Sequence, residues 1–463
     1  MTASAPDASS MAETAGAWRT EVFQSLRLGI PIAGAQVAQM AINTTDVVMI
    51  GWLGAVELAA AVLAFNLYIV IWLFGIGVLQ AVVPLAAKAR GERRPRDVRR
   101  SVRMGFWFVA FYSIPTLGIM WFTEDILLAF GQQPDVAALA GDYARIMMFS
   151  VFPSLMTMAL RNFITVLEKA QVVLWATIAG AVFNAFIDYA LIFGNFGLPR
   201  LELIGAGIAS VATSFATFLI IVVYTLRQRQ LRRYAVFGRL WRSDWSKFFE
   251  ILRLGWPIAI MLLVEVALFS GSSLMMGWIG TVPLAAHGIA LQLTSITFMV
   301  PLGLGQAGMI RIGLAAGRGD RAGVGRAGWA ALTVSMGFMV ICAVAFWLKP
   351  EPFVSLFLDL GNPQSDEVLA IGVTFLAIAA IFQIFDGAQV VGGSLLRGLS
   401  DTKTPMVIAV IGYWVGGMGL AYALAFPLGL GGIGIWWGLA FGLAAVSIVL
   451  LWRFAARERL GLV

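Results

Sequence analysis

The chain has 463 residues, of which 60% are apolar and 12% charged, with a net charge of +7. Soluble domains carry about 25% charged residues, so a chain this apolar cannot cover its own core, which excludes a water-soluble enzyme, a disordered protein and a secreted disulfide scaffold. A single cysteine, Cys342, and a single histidine, His287, leave no disulfide, no cysteine metal cluster and little imidazole chemistry.

The first twenty residues, rich in Ala, Ser and Thr, read as a disordered cytoplasmic tail without the apolar core of a signal peptide. A helix crossing the hydrocarbon layer needs about 20 mostly apolar residues. Twelve stretches meet that length: 27–52, 57–87, 104–123, 139–160, 170–194, 204–226, 252–278, 284–311, 327–348, 367–394, 405–427 and 432–453. Alternating strand-like segments are absent, so the expected class is an all-α integral membrane protein. With both termini placed in the cytoplasm, 29 of the 32 basic residues fall on the cytoplasmic side, and only Arg145, Arg200 and Lys349 face the other way. That asymmetry fixes the orientation and requires an even number of spans. The runs KARGERRPRDVRRSVR (88–103) and LRQRQLRRYAVFGRLWR (226–242) read as anchors beside anionic lipid headgroups, not as nucleic-acid contacts.

Shifted by 226 residues, the chain matches itself: LRLGIPIA (26–33) falls on LRLGWPIA (252–259) and MIGWLG (49–54) on MMGWIG (275–280), with 16 identities in 35 positions over 26–60. The expected organisation is an N-terminal lobe (21–226), a basic linker (227–251) and a C-terminal lobe (252–463). An interval of six spans makes this a parallel repeat, two six-helix lobes around a central cleft. Pro31 and Pro257 occupy matching positions and shape helix starts, while Pro301, Gly303 and Gly305 permit close packing in span eight.

An ionisable group deep in a span costs at least about 2.5–3.5 kcal/mol, which makes it a functional candidate. Glu265 lies in MLLVEVALF and Asp386 in FQIFDGAQVVGGSLLRG, with no basic residue expected mid-span to pair with either. The first half carries Asp46 in NTTDVVMIG, and Asn184 with Asp188 four residues apart on one helix face in FNAFIDYALIFG. Such carboxyls serve as proton carriers, cation ligands, or neutral hydrogen-bonding groups between helices, and Asp188 could instead bridge helices near the outer surface. The acids are not copies of one another: Glu265 aligns with Gln39, and Asp46 with Ser272. Glu57 sits in an external turn and is expected to be solvated. His287 reads as a hydrogen-bonded structural residue, and Cys342 as a small apolar one.

Across nearly its whole length the chain resembles the multidrug and toxic compound extrusion (MATE) transporters, in particular the NorM-like bacterial branch. The resemblance rests on P-x(14)-D-x-x-M-x-G-x-L-G-x-x-x-L-A from Pro31 to Ala59, GERRPRDVRRS, LRNFITVLEKAQ, VEVALFS with GWIGTVPLAAHGIALQ, FMVPLGLGQAGMIRIG and FDGAQVVGGSLLRGLSDTKTP. It implies a multi-pass transporter of the bacterial inner membrane, not an enzyme. Such a transporter exports amphipathic, often cationic compounds by antiport with H⁺ or Na⁺ through alternating access. The family's second-lobe cation site falls on Glu265 and Asp386, where Na⁺ could be held, and its first-lobe acid on Asp46. Asn184 and Asp188 match the proton-site pair of the DinF-like sister branch. Phe298 and Phe382 match aromatic positions beside the second-lobe site and would supply cation–π contact. Small amphipathic substrates and membrane lipids are the expected partners of a monomer, with no cofactor beyond the coupling ion. An exporter of an endogenous metabolite is the alternative. A lipid-linked precursor flippase fits less well, because those carry basic residues in the cavity. An intramembrane enzyme would need a nucleophile–base pair or a metal triad that the composition lacks.

Overall fold

A computed structural model describes residues 8–358 and 364–463 of the chain. Among them there are helices and no strand. The long helices correspond one to one to the expected spans: α1 (Ala8–Gly51), α2 (Ala55–Gly91), α3 (Pro95–Trp121), α4 (Pro134–Val166), α5 (Ala170–Phe193), α6 (Glu202–Arg227), α7 (Trp245–Ile279), α8 (Thr281–Gly317), α9 (Arg321–Leu348), α10 (Ser365–Gly398), α11 (Lys403–Ala425) and α12 (Gly431–Ala455). All but α1 are, among the described residues, both long and apolar enough to cross a membrane. The exception carries Gln36, Gln39, Asn43, Thr44, Thr45 and Asp46 within its expected span.

Helix α1 also begins earlier than expected. The stretch that the sequence suggests is an unstructured tail is helical from Ala8. The first seven residues of that expected tail lie outside the described residues. Three irregularities interrupt the long helices. Helix α2 breaks at Ala81, α4 passes through a 3₁₀ turn at Met148–Ser150, and α11 contains a π-helical segment, Gly412–Gly419.

The chain divides into two compact units, one formed by 34–263 and the other by 1–33 with 264–463. The expected lobe boundaries and these units differ by an exchange of helix ends. The opening part of α1 belongs with the second unit, while the linker and the opening part of α7 belong with the first. Glycines make both exchanges possible. A Cβ on Gly77 of α2 would lie 2.3 Å from the Cα of Ala259 in α7, and one on Gly255 would lie 2.6 Å from the Cα of Val78. The repeat reproduces this crossing in the second unit, where Gly303 of α8 meets the backbone of Ala33 at 2.5 Å and Gly29 meets Leu304 at 2.6 Å. Close helix crossings of this kind, with small residues between the backbones, supply packing that lipid tails cannot.

In the first unit α5 packs along α6, and α2 against α4. The linker is fastened there too. Leu231 and Val236 are buried, Phe237 stacks on Phe106 at 5.8 Å, and Trp107 Nε1 donates to the Leu240 carbonyl at 2.7 Å. In the second unit α10 is central, packed on α8, α9 and α12. Gly305 allows α8 to approach α10 closely, with Ser394 Oγ 2.9 Å from its virtual Cβ. Gly438 and Gly442 do the same for α12 against α11.

Candidate functional site

Each unit brings a group of polar and acidic side chains together among its membrane helices. In the first, Asp46 of α1 faces Asn184 and Asp188 of α5 and Ser210 of α6. Tyr143 of α4 is close enough to both carboxylates to sense their charge, and its hydroxyl reaches Ser210. Asn184 and Asp188 are completely buried. Neither carboxylate oxygen of Asp188, neither polar atom of Asn184 and not Oδ1 of Asp46 completes a well-formed hydrogen bond. The sequence offers all three as candidates of the first half, and the structure brings them together. Tyr143 and Ser210 were missed, since a hydroxyl in an apolar helix leaves no periodic signature. A further run of hydroxyls lies in the same unit, with Ser150 donating to Tyr68 at 3.3 Å and Ser154 to Ser214 at 3.1 Å.

Two buried carboxylates side by side repel each other strongly where water is scarce. A proton or a small cation held between them relieves that repulsion, and the unfilled lone pairs of Asp46 and Asp188 are suited to hold one.

In the second unit, Glu265 of α7 and Asp386 of α10 lie within electrostatic reach of one another. Asp386 is buried, and its Oδ1 has no hydrogen-bond partner. Gln383, Asp386 and Gln389 recur every third residue, which aligns them on one face of α10. Gln383 Oε1 accepts from Thr297 at 2.8 Å, and Gln389 donates to the Tyr413 hydroxyl, which the π-helical segment of α11 carries. Insertion of a π turn re-aims the residues around it and recurs at functional sites. Among the described residues no three His, Cys, Asp or Glu side chains converge as metal ligands. A cation between Glu265 and Asp386 would therefore draw further oxygens from neighbours such as Gln389 or Tyr413.

The sequence places Arg397 in a cytoplasmic loop, but α10 runs to Gly398, and Arg397 is buried in its last turn. Its positive charge acts on Glu265 and on Tyr413, so the second cluster is not free of basic influence. Arg161, also expected in a loop, lies within α4.

Phe382 is buried with its ring edge-on to Trp436 at 5.5 Å and to Phe269 at 6.1 Å. Phe298 sits half-buried on α8. His287 also stands against Trp436, at 5.3 Å, and its Nε2 lies 3.3 Å from Ser272 Oγ. Ser272 is the repeat partner of Asp46, so the second unit has a serine–histidine contact where the first has its carboxylate. Glu57 is half-exposed in the first turn of α2, where a negative charge suits the helix dipole. Cys342 is half-buried and unbridged.

Comparisons with known proteins identify the family of the chain. The MatE family model matches residues 31–190 and 257–423. A probable multidrug resistance protein NorM of Rhizobium meliloti (strain 1021) is 48% identical over 444 residues, covering 96% of this chain and 95% of that protein. Its counterpart from Agrobacterium fabrum (strain C58 / ATCC 33970) is 44% identical, with 89% of each chain covered. Among solved structures, an outward-facing multidrug resistance MATE family transporter of the MOP superfamily superposes with a TM-score of 0.84 at 18% identity, covering 95% of this chain and 96% of that one. The eukaryotic MATE transporter AtDTX14 gives 0.81 at 18% identity, covering 96% and 100%. These structural likenesses concern the fold, twelve membrane helices in two lobes. Matched by the family model over most of its length, and by relatives along nearly all of it, the chain belongs to the MATE family.

Proposed function

We propose that the protein is a secondary active efflux transporter, not an enzyme, which expels amphipathic, often cationic compounds in exchange for H⁺ or Na⁺ by alternating access. The reading places it in the bacterial inner membrane with both termini in the cytoplasm. The observation that carries it is the presence, in each unit, of a buried aspartate, Asp188 in the first and Asp386 in the second, with a carboxylate oxygen that has no hydrogen-bond partner. Side chains so costly to bury are retained where a cation comes and goes. In the exchange cycle, H⁺ or Na⁺ reaches the carboxylates from outside and lowers the affinity for bound drug. The drug leaves, the ion is released inward, and a new drug molecule binds. Coupling of this kind requires that ion and drug differ in their affinity for the two access states. Glu265 and Asp386 form one coupling site, and Asp46 with Asn184 and Asp188 the other. Phe298 and Phe382 supply aromatic surface near the first of these.

The test uses proteoliposomes loaded with a cationic dye, with imposed H⁺ and Na⁺ gradients applied separately. Glu265→Gln and Asp46→Asn each remove one negative charge without changing shape. Gradient-driven efflux is expected to fall at least about tenfold in one or both variants while the amount of protein in the membrane stays constant. Undiminished efflux in both, and in the double variant, would remove the coupling assignment.

A further inference from the structure

The first unit has a feature that ion-coupled export does not use. Between the start of α3 and the segment leading into α7 lies a cavity of about 770 Å³. Its walls hold seven arginines against two aspartates, Asp97 and Asp244. Both aspartates are engaged by the same guanidinium, that of Arg100, which donates to Asp97 at 3.0 Å and to Asp244. Arg94 pairs outside the cavity with Glu92 at 3.2 Å. The other five, Arg96, Arg99, Arg103, Arg239 and Arg242, form no ion pair with any described residue.

Two of these five are placed as donors and not as solvent-facing anchors. Arg103 is 5% exposed; its Nη1 donates to the Arg239 carbonyl at 3.3 Å, and its Nε has no partner. Arg99 Nε is likewise buried without one. The walls are held in place by the Phe106–Phe237 stack and by the hydrogen bond from Trp107 to Leu240. A loose basic run beside a membrane would need neither burial nor these fastenings.

Guanidiniums gathered this closely repel one another, and an anion with several acceptor oxygens resolves the repulsion through forked hydrogen bonds. A carboxylate brings one charge and two oxygens to a surplus of five positive charges. A phosphate ester brings more oxygens and can engage two guanidiniums at once. We propose that this cavity is a binding site for a phosphate-bearing anion, with Arg99 and Arg103 as its inner donors and Arg239 and Arg242 at its rim. The proposal is independent of the antiport reading, since it concerns another group of residues and an anion.

The experiment titrates the full chain, purified in an uncharged detergent, by calorimetry. Three probes are compared: dihexanoyl-phosphatidylglycerol, dihexanoyl-phosphatidylcholine and inorganic pyrophosphate. Saturable binding of one equivalent of at least one anionic probe is expected, weakening as salt is raised. In Arg99→Gln/Arg103→Gln the affinity should fall about thirtyfold, at about fivefold for each arginine near a phosphate surface. Because Arg103 is buried, Arg239→Gln/Arg242→Gln is measured as well; these exposed residues should give a loss of about tenfold or more with an unchanged unfolding temperature. Arg229→Gln/Arg232→Gln, on the same basic surface but outside the cavity, should change affinity less than about twofold. Saturation by phosphatidylglycerol alone identifies a lipid headgroup, and saturation by pyrophosphate identifies a soluble phosphate; either supports the site. Binding that saturates with no probe, or that weakens equally in all three variants, overturns it.

Discussion

The duplicated helix crossing makes a quantitative prediction about stability. In Gly77→Ala the new methyl group would sit 2.3 Å from the Cα of Ala259 and 2.7 Å from its N and Cβ. Carbon atoms in ordinary contact stand about 3.5–4.0 Å apart, so α2 and the start of α7 must separate by more than an ångström. In Gly303→Ala the same clash arises with the backbone of Ala33, at 2.5–2.7 Å. Overpacking typically costs about 1–3 kcal/mol. Here the obstacle is backbone, which cannot swing aside, so each substitution should cost about 3 kcal/mol, or roughly a hundredfold in the folded-to-unfolded ratio. The clashes lie in separate units, so the double variant should lose about the sum. Tryptophan fluorescence during heating in detergent reports the unfolding temperature. Gly337→Ala is the control: nothing lies within 4 Å of its added methyl group, and alanine favours an uninterrupted helix by about 1 kcal/mol. Equal unfolding temperatures for Gly77→Ala, Gly303→Ala and Gly337→Ala would refute the close crossing.

Other outcomes follow from single residues. Asp188→Asn removes one of two facing buried carboxylates, so the unfolding temperature should rise, by about 1 kcal/mol or more in stability, while dye efflux from proteoliposomes declines; a fall in both would contradict the cluster. Trp436→Ala empties the ring contacts with His287, Phe375 and Phe382 and should cost about 3–5 kcal/mol in thermal or denaturant unfolding. Burial pushes the Asp244 carboxyl up, but the hydrogen bond from Arg100, helped by the Lys247 N–H and the charges of Arg100 and Arg103, outweighs it and leaves the pKa below the ordinary 3.8. Its contribution to stability is therefore complete above that value and lost as pH falls through the lower folded value. An acid titration of unfolding temperature should show this loss in the native chain and not in Asp244→Asn.

The helices were legible because a membrane span is written in length and apolar content, and the orientation expectation came from counting Lys and Arg. The four acids stood out because nothing around them in sequence was charged. What remained hidden was spatial. The match of LRLGIPIA to LRLGWPIA identifies equivalent segments but does not say with which unit each one packs, and contact is what defines a unit. Arg397 was misplaced because GLSDTK looks like a loop, although the helix ends only where Ser400 turns to positive φ. Tyr143 and Ser210 carry hydroxyls that become polar partners only once α4 and α6 bring them to Asp46. The π segment was unreadable because its glycines, Gly412, Gly416, Gly417 and Gly419, are equally at home in an ordinary close-packed helix.

The exchange of helix ends limits how the gene can be cut. A break in the basic linker looks like the natural seam, yet the N-terminal product would keep the strip Leu26–Ala33 that belongs beside Gly303, and the C-terminal product would carry off Leu252–Ala259, which belongs beside Gly77. Neither fragment would own all of its core. The two would have to be made together and trade strips before either could mature, so this duplicated protein cannot be divided at the midpoint of its own repeat into self-sufficient halves.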